Sequence, residues 1–316
     1  MSEVTDSASY HIPVMRDEVV AHLKPGPGKV YVDCTLGAGG HSLAIASQIR
    51  PGCRLIGIDR DPEAIAEAGR NLADYSDVVT LVQARFDAIH DVLETLTIPS
   101  VDGVLFDLGV SSHQLDAAYR GFSFRDPDAP LDMRMNQSQG DVTAADLLND
   151  LTEGELTALI RDNSDEHWAA RIAKFVVERR KTEPFTRVGQ LVEAVHAAMP
   201  AAARPDDKHA ATRTFQALRI AVNEELTMLG HALESAVDCL GQGGVLVVLS
   251  FHSLEDRIVK QLFSRLAGRG GGEGPYGQRP TSTVELLTKK PEYAGAAEID
   301  RNPRSRSVRL RSVRRL

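Results

Sequence analysis

Asp33-Cys34-Thr35-Leu36-Gly37-Ala38-Gly39-Gly40-His41 is the stretch on which the fold turns. The short run from Val30 to Asp33 reads as a strand that ends on a carboxylate. Glycines follow at 37, 39 and 40, and a helical pattern then runs through Leu43, Ile45, Ala46 and Ile49. A strand that turns through glycines into a helix brings backbone N–H groups and a helix N-terminus up against a ligand. A second apolar run, Leu55 to Ile58, ends at Asp59, roughly twenty residues beyond the loop. A carboxylate there accepts both hydroxyls of a ribose.

Loop and acid fit either a dinucleotide or S-adenosylmethionine, and a tight turn with no ligand is the plain alternative. Two details favour the methyl donor. The dinucleotide fingerprint expects a third glycine at position 42, where this chain has Ser42. Asp33 stands directly before the loop, where it suits a sulfonium and an ammonium and repels a pyrophosphate.

Outward from the loop, Pro62 opens a helix with Ile65, Ala68 and Leu72 on one face. Val78–Val82 and Val104–Phe106 read as third and fourth strands. Short strands alternating with helices predict an α/β fold with a mostly parallel, Rossmann-like sheet. From Tyr119 to Lys208 the rhythm breaks. Trp168, Ile172, Phe175, Val176 and Arg179 repeat at helical spacing, as do Leu191, Val192, Val195 and Met199. The expected division is a core of residues 1–118 and 209–316 around a helical insert, 119–208. A long helix or helix pair is expected from Thr212 to Leu240, stopped by Gly243 and Gly244. A fifth strand follows at Val245–Leu249, then a helix at Leu254–Leu266. Gly268–Gly277 is glycine-rich. Val284–Leu287 and Val308–Leu310 are expected to close the sheet as an antiparallel pair.

The composition of the 316 residues is that of a globular protein, with 42% hydrophobic and 25% charged residues. Met1 to Ser9 lacks the features of a secretory signal, and no apolar run is long enough for a membrane span. Cys34, Cys53 and Cys239 show neither redox nor zinc spacing, which suits reduced thiols in a cytoplasmic protein. No metal site is expected. The net charge of −8 argues weakly against a nucleic-acid partner, but it is an average. Residues 301–316 hold seven arginines and no acid, so the rest of the chain carries −15. That end reads either as a solvated basic tail or as a phosphate-contacting edge, aided by Arg179, Arg180 and Lys181.

Asp107-Leu108-Gly109-Val110-Ser111-Ser112-His113-Gln114-Leu115-Asp116 follows the fourth strand. Ligands of open parallel sheets bind beyond the carboxyl ends of the strands, which places Asp107 toward the reacting end of a cofactor. Its alternative role is to cap the next helix. This segment, His11-Ile12-Pro13-Val14, the glycine loop, Gly121-Phe122-Ser123-Phe124, Leu131-Asp132-Met133-Arg134-Met135, Thr212 to Ile220, Val222-Asn223 and Ser250 to Arg257 occur together. The set closely resembles the ribosomal RNA small subunit methyltransferase H family over nearly the whole chain.

The resemblance implies a class I methyltransferase sheet interrupted by a helical domain. It implies S-adenosylmethionine bound through Gly39, Gly40, His41, Asp59, Phe86, Asp107 and Gln114. It also implies methylation of the N4 amine of a decoding-region cytidine in 16S rRNA of the small ribosomal subunit. Rival expectations are a methyltransferase for another RNA or a small molecule, and a non-catalytic assembly factor that keeps the fold.

Cytosine N4 is a poor nucleophile, because its lone pair is delocalised into the ring. Acceptors facing its hydrogens help it pyramidalise; the Asp107 carboxylate and the carbonyls of Leu108 and Gly109 are candidates. Amino-methylating DNA enzymes usually carry a Pro-Pro-aromatic segment at this point, where this chain has Leu-Gly-Val. C5 methylation needs a cysteine nucleophile, and no cysteine lies in the loops after the fourth or fifth strand, where a base would enter. His252 reads either as a general base or as a hydrogen-bonded residue at a helix entrance, with Ser250 or Ser253 as the cap. Phe86 packs either against adenine or into the core, and Trp168 is expected in the core.

Overall fold

In the computed structural model, residues 13–49, 52–138, 142–203, 210–269 and 281–316 are described. Two compact units divide them: one of residues 1–59, 63–109 and 234–316, the other of 60–62 and 110–233.

The first unit is built on one sheet. Its strands are β1 (Val30–Asp33), β2 (Arg54–Asp59), β3 (Val79–Gln83), β4 (Val101–Asp107), β5 (Leu240–Ser250), β6 (Val284–Leu286) and β7 (Arg309–Arg315). Their order is β3-β2-β1-β4-β5-β7-β6. β1 to β5 run parallel, and β7 lies antiparallel between β5 and β6. This is the expected mostly parallel α/β sheet. Strands buried on both faces need apolar side chains at successive positions, and Leu246 to Leu249 have no solvent exposure. On one face, Val19, Leu23, Ile45 and Ile49 from two helices pack with Leu55, Leu105, Val247, Leu249 and Leu310.

Three expectations change here. The helix Glu225–Cys239 ends before Gly243 and Gly244, and both glycines lie within β5. The pairing of β4 with β5 is irregular there: Val101 lies beside Leu240 but Gly103 beside Val245, so the extra residues are taken up as a bulge. The basic end is not a solvated tail. Leu310 to Val313 are buried within β7, and Val284 pairs with Arg315 rather than with Val308–Leu310. Arg311 binds Asp256 through two contacts of 2.7 and 3.2 Å, Arg314 binds Glu285 at 3.0 Å, and Arg315 lies 3.7 Å from Asp238. Arg301 and Arg306 are exposed. Most of the glycine-rich segment, at 270–280, lies outside the described residues.

The second unit is larger than the expected insert. Its core joins Leu148, Leu156, Ile160, Ile172, Val176, Leu191 and Val195 to Phe215, Leu218 and Val222 of the helix Thr212–Asn223. That helix is therefore part of the helical unit, because its apolar face completes this core. Its described residues form no strand, as expected; one isolated bridge joins Pro130 and Arg187. The chain breaks at Glu224, in the left-handed region at φ 54°, between two helices. Asn223 fixes that break: its amide donates to Met133 O (2.7 Å) and accepts from the Met135 N–H (2.9 Å). The basic group proposed from the insert is tied up locally. Arg179 pairs with Glu193, Arg180 donates to the carbonyls of Leu148 and Leu151, and Lys181 pairs with Glu178. Trp168 packs against the core, with the Arg171 guanidinium 6.0 Å from its ring centroid.

Candidate active site

Parallel pairing sets three carboxylates at one end of the sheet. Asp33, Asp59 and Asp107 are the last residues of β1, β2 and β4, and β1 lies between the other two. Strand order reverses between β1 and β4, the place where open sheets leave a crevice for a ligand.

The glycine loop is held against this end by its own backbone. The N–H of Cys34 donates to Leu105 O (2.9 Å), that of Leu36 to Ile58 O (3.0 Å) and that of Gly39 to Leu36 O (2.8 Å). Gly39 has φ +84°, a conformation that side chains rarely adopt, and a Cβ there would meet Leu72 at 3.0 Å. Asp59 takes part in the same structure: its Oδ2 accepts from the Gly37 N–H at 2.8 Å. The helix Gly40–Ile49 then begins with His41 and Ser42 buried.

Asp33 is buried, and its two oxygens accept from the Ser42 hydroxyl (2.8 Å) and the Thr35 N–H (3.2 Å). Burial pushes its carboxyl above the usual range, while His41, the Ser42 hydroxyl and the Thr35 N–H pull it down. Asp107 is tied to the loop through its N–H, which donates to Thr35 Oγ1 at 2.6 Å. Its side chain is 26% exposed, and Oδ2 lies 3.5 Å from His41 Nε2. Asp107 Oδ1 and both ring nitrogens of His41 are buried atoms with no hydrogen-bond partner. Phe86, just after β3, meets Phe106 edge-to-face, with centroids 5.9 Å apart.

The arrangement suits the cofactor read from the sequence. Three acids end neighbouring strands here, and Asp107 Oδ1 and the His41 ring nitrogens are unsatisfied, a field that favours a cationic ligand and disfavours a pyrophosphate. Ser42, where a dinucleotide loop would have glycine, is the donor that holds Asp33.

The fold places Gly39, Gly40, His41, Asp59, Phe86 and Asp107 at the carboxyl end of this sheet. Gln114 lies in the second unit. Its Oε1 accepts from the Ser111 N–H (3.0 Å) and its Nε2 donates to Asp61 Oδ2 (2.8 Å), an oxygen that also accepts from Arg120 (2.8 Å). Asp107 does not cap the following helix; Ser111 does. His252 itself is the cap of the helix Ser253–Leu266, in place of Ser250 or Ser253, with Nδ1 accepting from the Glu255 N–H at 3.4 Å. Thr35, which joins Asp33 to Asp107, carried no signal in the sequence beyond its place in the loop.

All three cysteines are buried and free. Burial pushes the thiols of Cys34 and Cys239 up, with the charges of Asp33 and Asp238 adding to it. Such thiols are poor nucleophiles, since the thiolate is the reactive form. Among the described residues, one trio has metal-binding spacing: His90, Asp91 and Glu94, all exposed on a single helix.

Residues 8–316 match the MraW methylase family. A protein of Heliobacterium modesticaldum named ribosomal RNA small subunit methyltransferase H is 49% identical over 97% of this chain and 99% of its own length. Proteins of the same name from Symbiobacterium thermophilum and a Nocardioides species are 48% and 49% identical, with 98% of each chain covered. With this match over nearly its whole length, the chain belongs to the MraW methylase family and is an S-adenosylmethionine-dependent methyltransferase.

Proposed function

We propose that this chain methylates the N4 amine of a decoding-region cytidine in 16S rRNA, acting on the small ribosomal subunit in the cytoplasm. The observation that carries the substrate class is the end-to-end likeness to relatives named as methyltransferases of small-subunit ribosomal RNA. The Asp107 carboxylate supports the amine chemistry, because it offers a buried acceptor atom with no partner.

Gly39, Gly40, His41, Asp59, Phe86, Asp107 and Gln114 are the residues assigned to cofactor binding. S-Adenosylmethionine supplies a methyl group already activated by its sulfonium. Asp59 accepts the ribose hydroxyls while bracing Gly37, and Phe86 packs against the adenine. Asp33 sets a fixed negative charge behind the loop. Asp107 Oδ1 accepts an amine hydrogen, drawing the nitrogen lone pair out of conjugation, and would receive the proton as the N–C bond forms and the donor's methyl–sulfur bond breaks. Since the donor is already activated, holding the amine in line supplies most of the remaining catalysis. The raised thiols speak against C5 chemistry, which needs a cysteine adduct.

Mass-spectrometric mapping of small-subunit rRNA with and without the gene tests this reading. The expected result is one cytidine that loses an N4-methyl group. Methylation of tRNA or a metabolite, with small subunits left unlabelled by tritiated methyl donor, would favour the rival methyltransferase. Absence of cofactor binding would favour a non-catalytic assembly factor.

A further inference from the structure

Amino-methylating DNA enzymes usually place an aromatic residue three positions after the acid, whereas this chain has Val110 there. In this structure an aromatic residue, Phe251, directly follows the neighbouring strand β5. β4 and β5 pair in parallel with Asp107 beside Leu249, and the Leu108 N–H donates to Leu249 O at 3.1 Å. Two residues further along each chain, Gly109 faces Phe251: a Cβ on Gly109 would lie 3.5 Å from Cδ2 and 3.8 Å from Cγ of that ring. Gly109 has φ +103°, a backbone conformation that disfavours any side chain, so no side chain from Gly109 lies against the ring.

The pairing puts Asp107 on the same face of the sheet as Leu249, and Phe251, the residue after β5, packs against the cluster that holds Leu249. Phe251 is partly exposed. Its N–H donates to Glu255 Oε2 at 2.7 Å, which fixes the backbone at the ring. Phe86 is not equivalent, because it meets Phe106 edge-to-face.

We propose that Phe251 is the platform on which the acceptor base stacks, so that its exocyclic amine is presented to Asp107. The proposal rests on the reading of an unstacked RNA pyrimidine as the substrate. A base taken out of its helix loses its stacking neighbours, and an aromatic ring restores part of that contact whatever the base sequence around it. The role is one of substrate binding; no bond to Phe251 forms or breaks.

The test uses the full chain, small subunits from cells lacking the gene, and two substitutions. Phe251→Leu keeps an apolar side chain on the core but removes the ring face; Phe251→Tyr keeps the face. Melting temperature and calorimetric binding of S-adenosylmethionine are measured for each. The expected result is that Phe251→Leu lowers kcat/KM by roughly 5- to 150-fold, the range of one base–aromatic stack, with cofactor affinity unchanged. Phe251→Tyr stays near wild type. Wild-type turnover in Phe251→Leu would overturn the proposal. So would an equal loss in Phe251→Tyr, or a matching loss of cofactor affinity. The methylated nucleoside is identified in the same samples. If the wild type labels a site other than cytidine N4, the functional reading fails, while the ratio between the two variants still decides the role of the ring.

Discussion

The Ser42 hydroxyl donates to Asp33 Oδ2 across 2.8 Å, from the position where a dinucleotide-binding loop would carry its third glycine. A residue that looked like a departure from one fingerprint is the support of the acid that defines another. Both side chains are buried, so the hydrogen bond is made to a carboxylate with little access to water.

Replacing Ser42 with Ala removes that donor. Hydrogen bonds to charged groups are worth about 1.5–3 kcal/mol, so Ser42→Ala should lower stability by about that amount, and cofactor binding should weaken with it. The pH dependence follows from Asp33. Burial raises its carboxyl and the Ser42 hydroxyl lowers it, so Ser42→Ala raises it further. Binding that needs the ionised carboxylate is lost as pH falls through this pKa, and the loss should begin at a higher pH in the variant. Calorimetric titrations across pH check it. The sign for folding is the reverse. A carboxyl raised above its unfolded value of about 3.9 holds its proton to higher pH in the native state than in the unfolded chain, so stability falls as pH rises through the folded pKa. Asp33→Asn should gain stability relative to wild type over that rise, as read by denaturant midpoints.

Asp59→Ala should weaken cofactor binding for two reasons: it removes the ribose acceptor and it frees the Gly37 N–H. Asp107→Ala should abolish turnover, because the acceptor for the amine is lost. Unchanged calorimetric affinity in the first, or near-normal methyl transfer in the second, would contradict these assignments.

Joint replacement of Cys34, Cys53 and Cys239 by Ala should leave methyl transfer intact, since all three thiols are buried. A single Cys34→Ala that still binds cofactor but does not turn over would contradict this.

The arginines of the last strand divide by their surroundings. Arg311 is buried against Asp256, and Arg311→Ala should destabilise the fold by about 3 kcal/mol, because it leaves a carboxylate unpaired. Arg301 and Arg306 are exposed; Gln at both should leave the melting temperature unchanged while weakening subunit binding and reducing its salt dependence. Equal salt slopes for wild type and the double variant would exclude them as phosphate contacts. Deleting Arg314 to Leu316 is not a clean test of charge, because Arg314 and Arg315 pair with Val245 and Val284 within the sheet.

The alternation of apolar runs and helices, the glycine turn and the carboxylates at strand ends determine the sheet and its cofactor end from the sequence alone. They are local patterns, set by the two-residue period of a strand and the turn that glycine permits. Tertiary structure alone decided what lies beside what. Pairing of β4 with β5 sets Phe251 against Gly109, residues 142 positions apart in the chain. Packing of Phe215 and Leu218 assigns their helix to the helical unit. The arginine-rich end reads from its sequence either as a solvated basic tail or as a phosphate-contacting edge; only its place between β5 and β6 shows that backbone pairing and ion pairs hold it. Contacts between distant segments depend on register and burial, and neither leaves a periodic mark on the sequence.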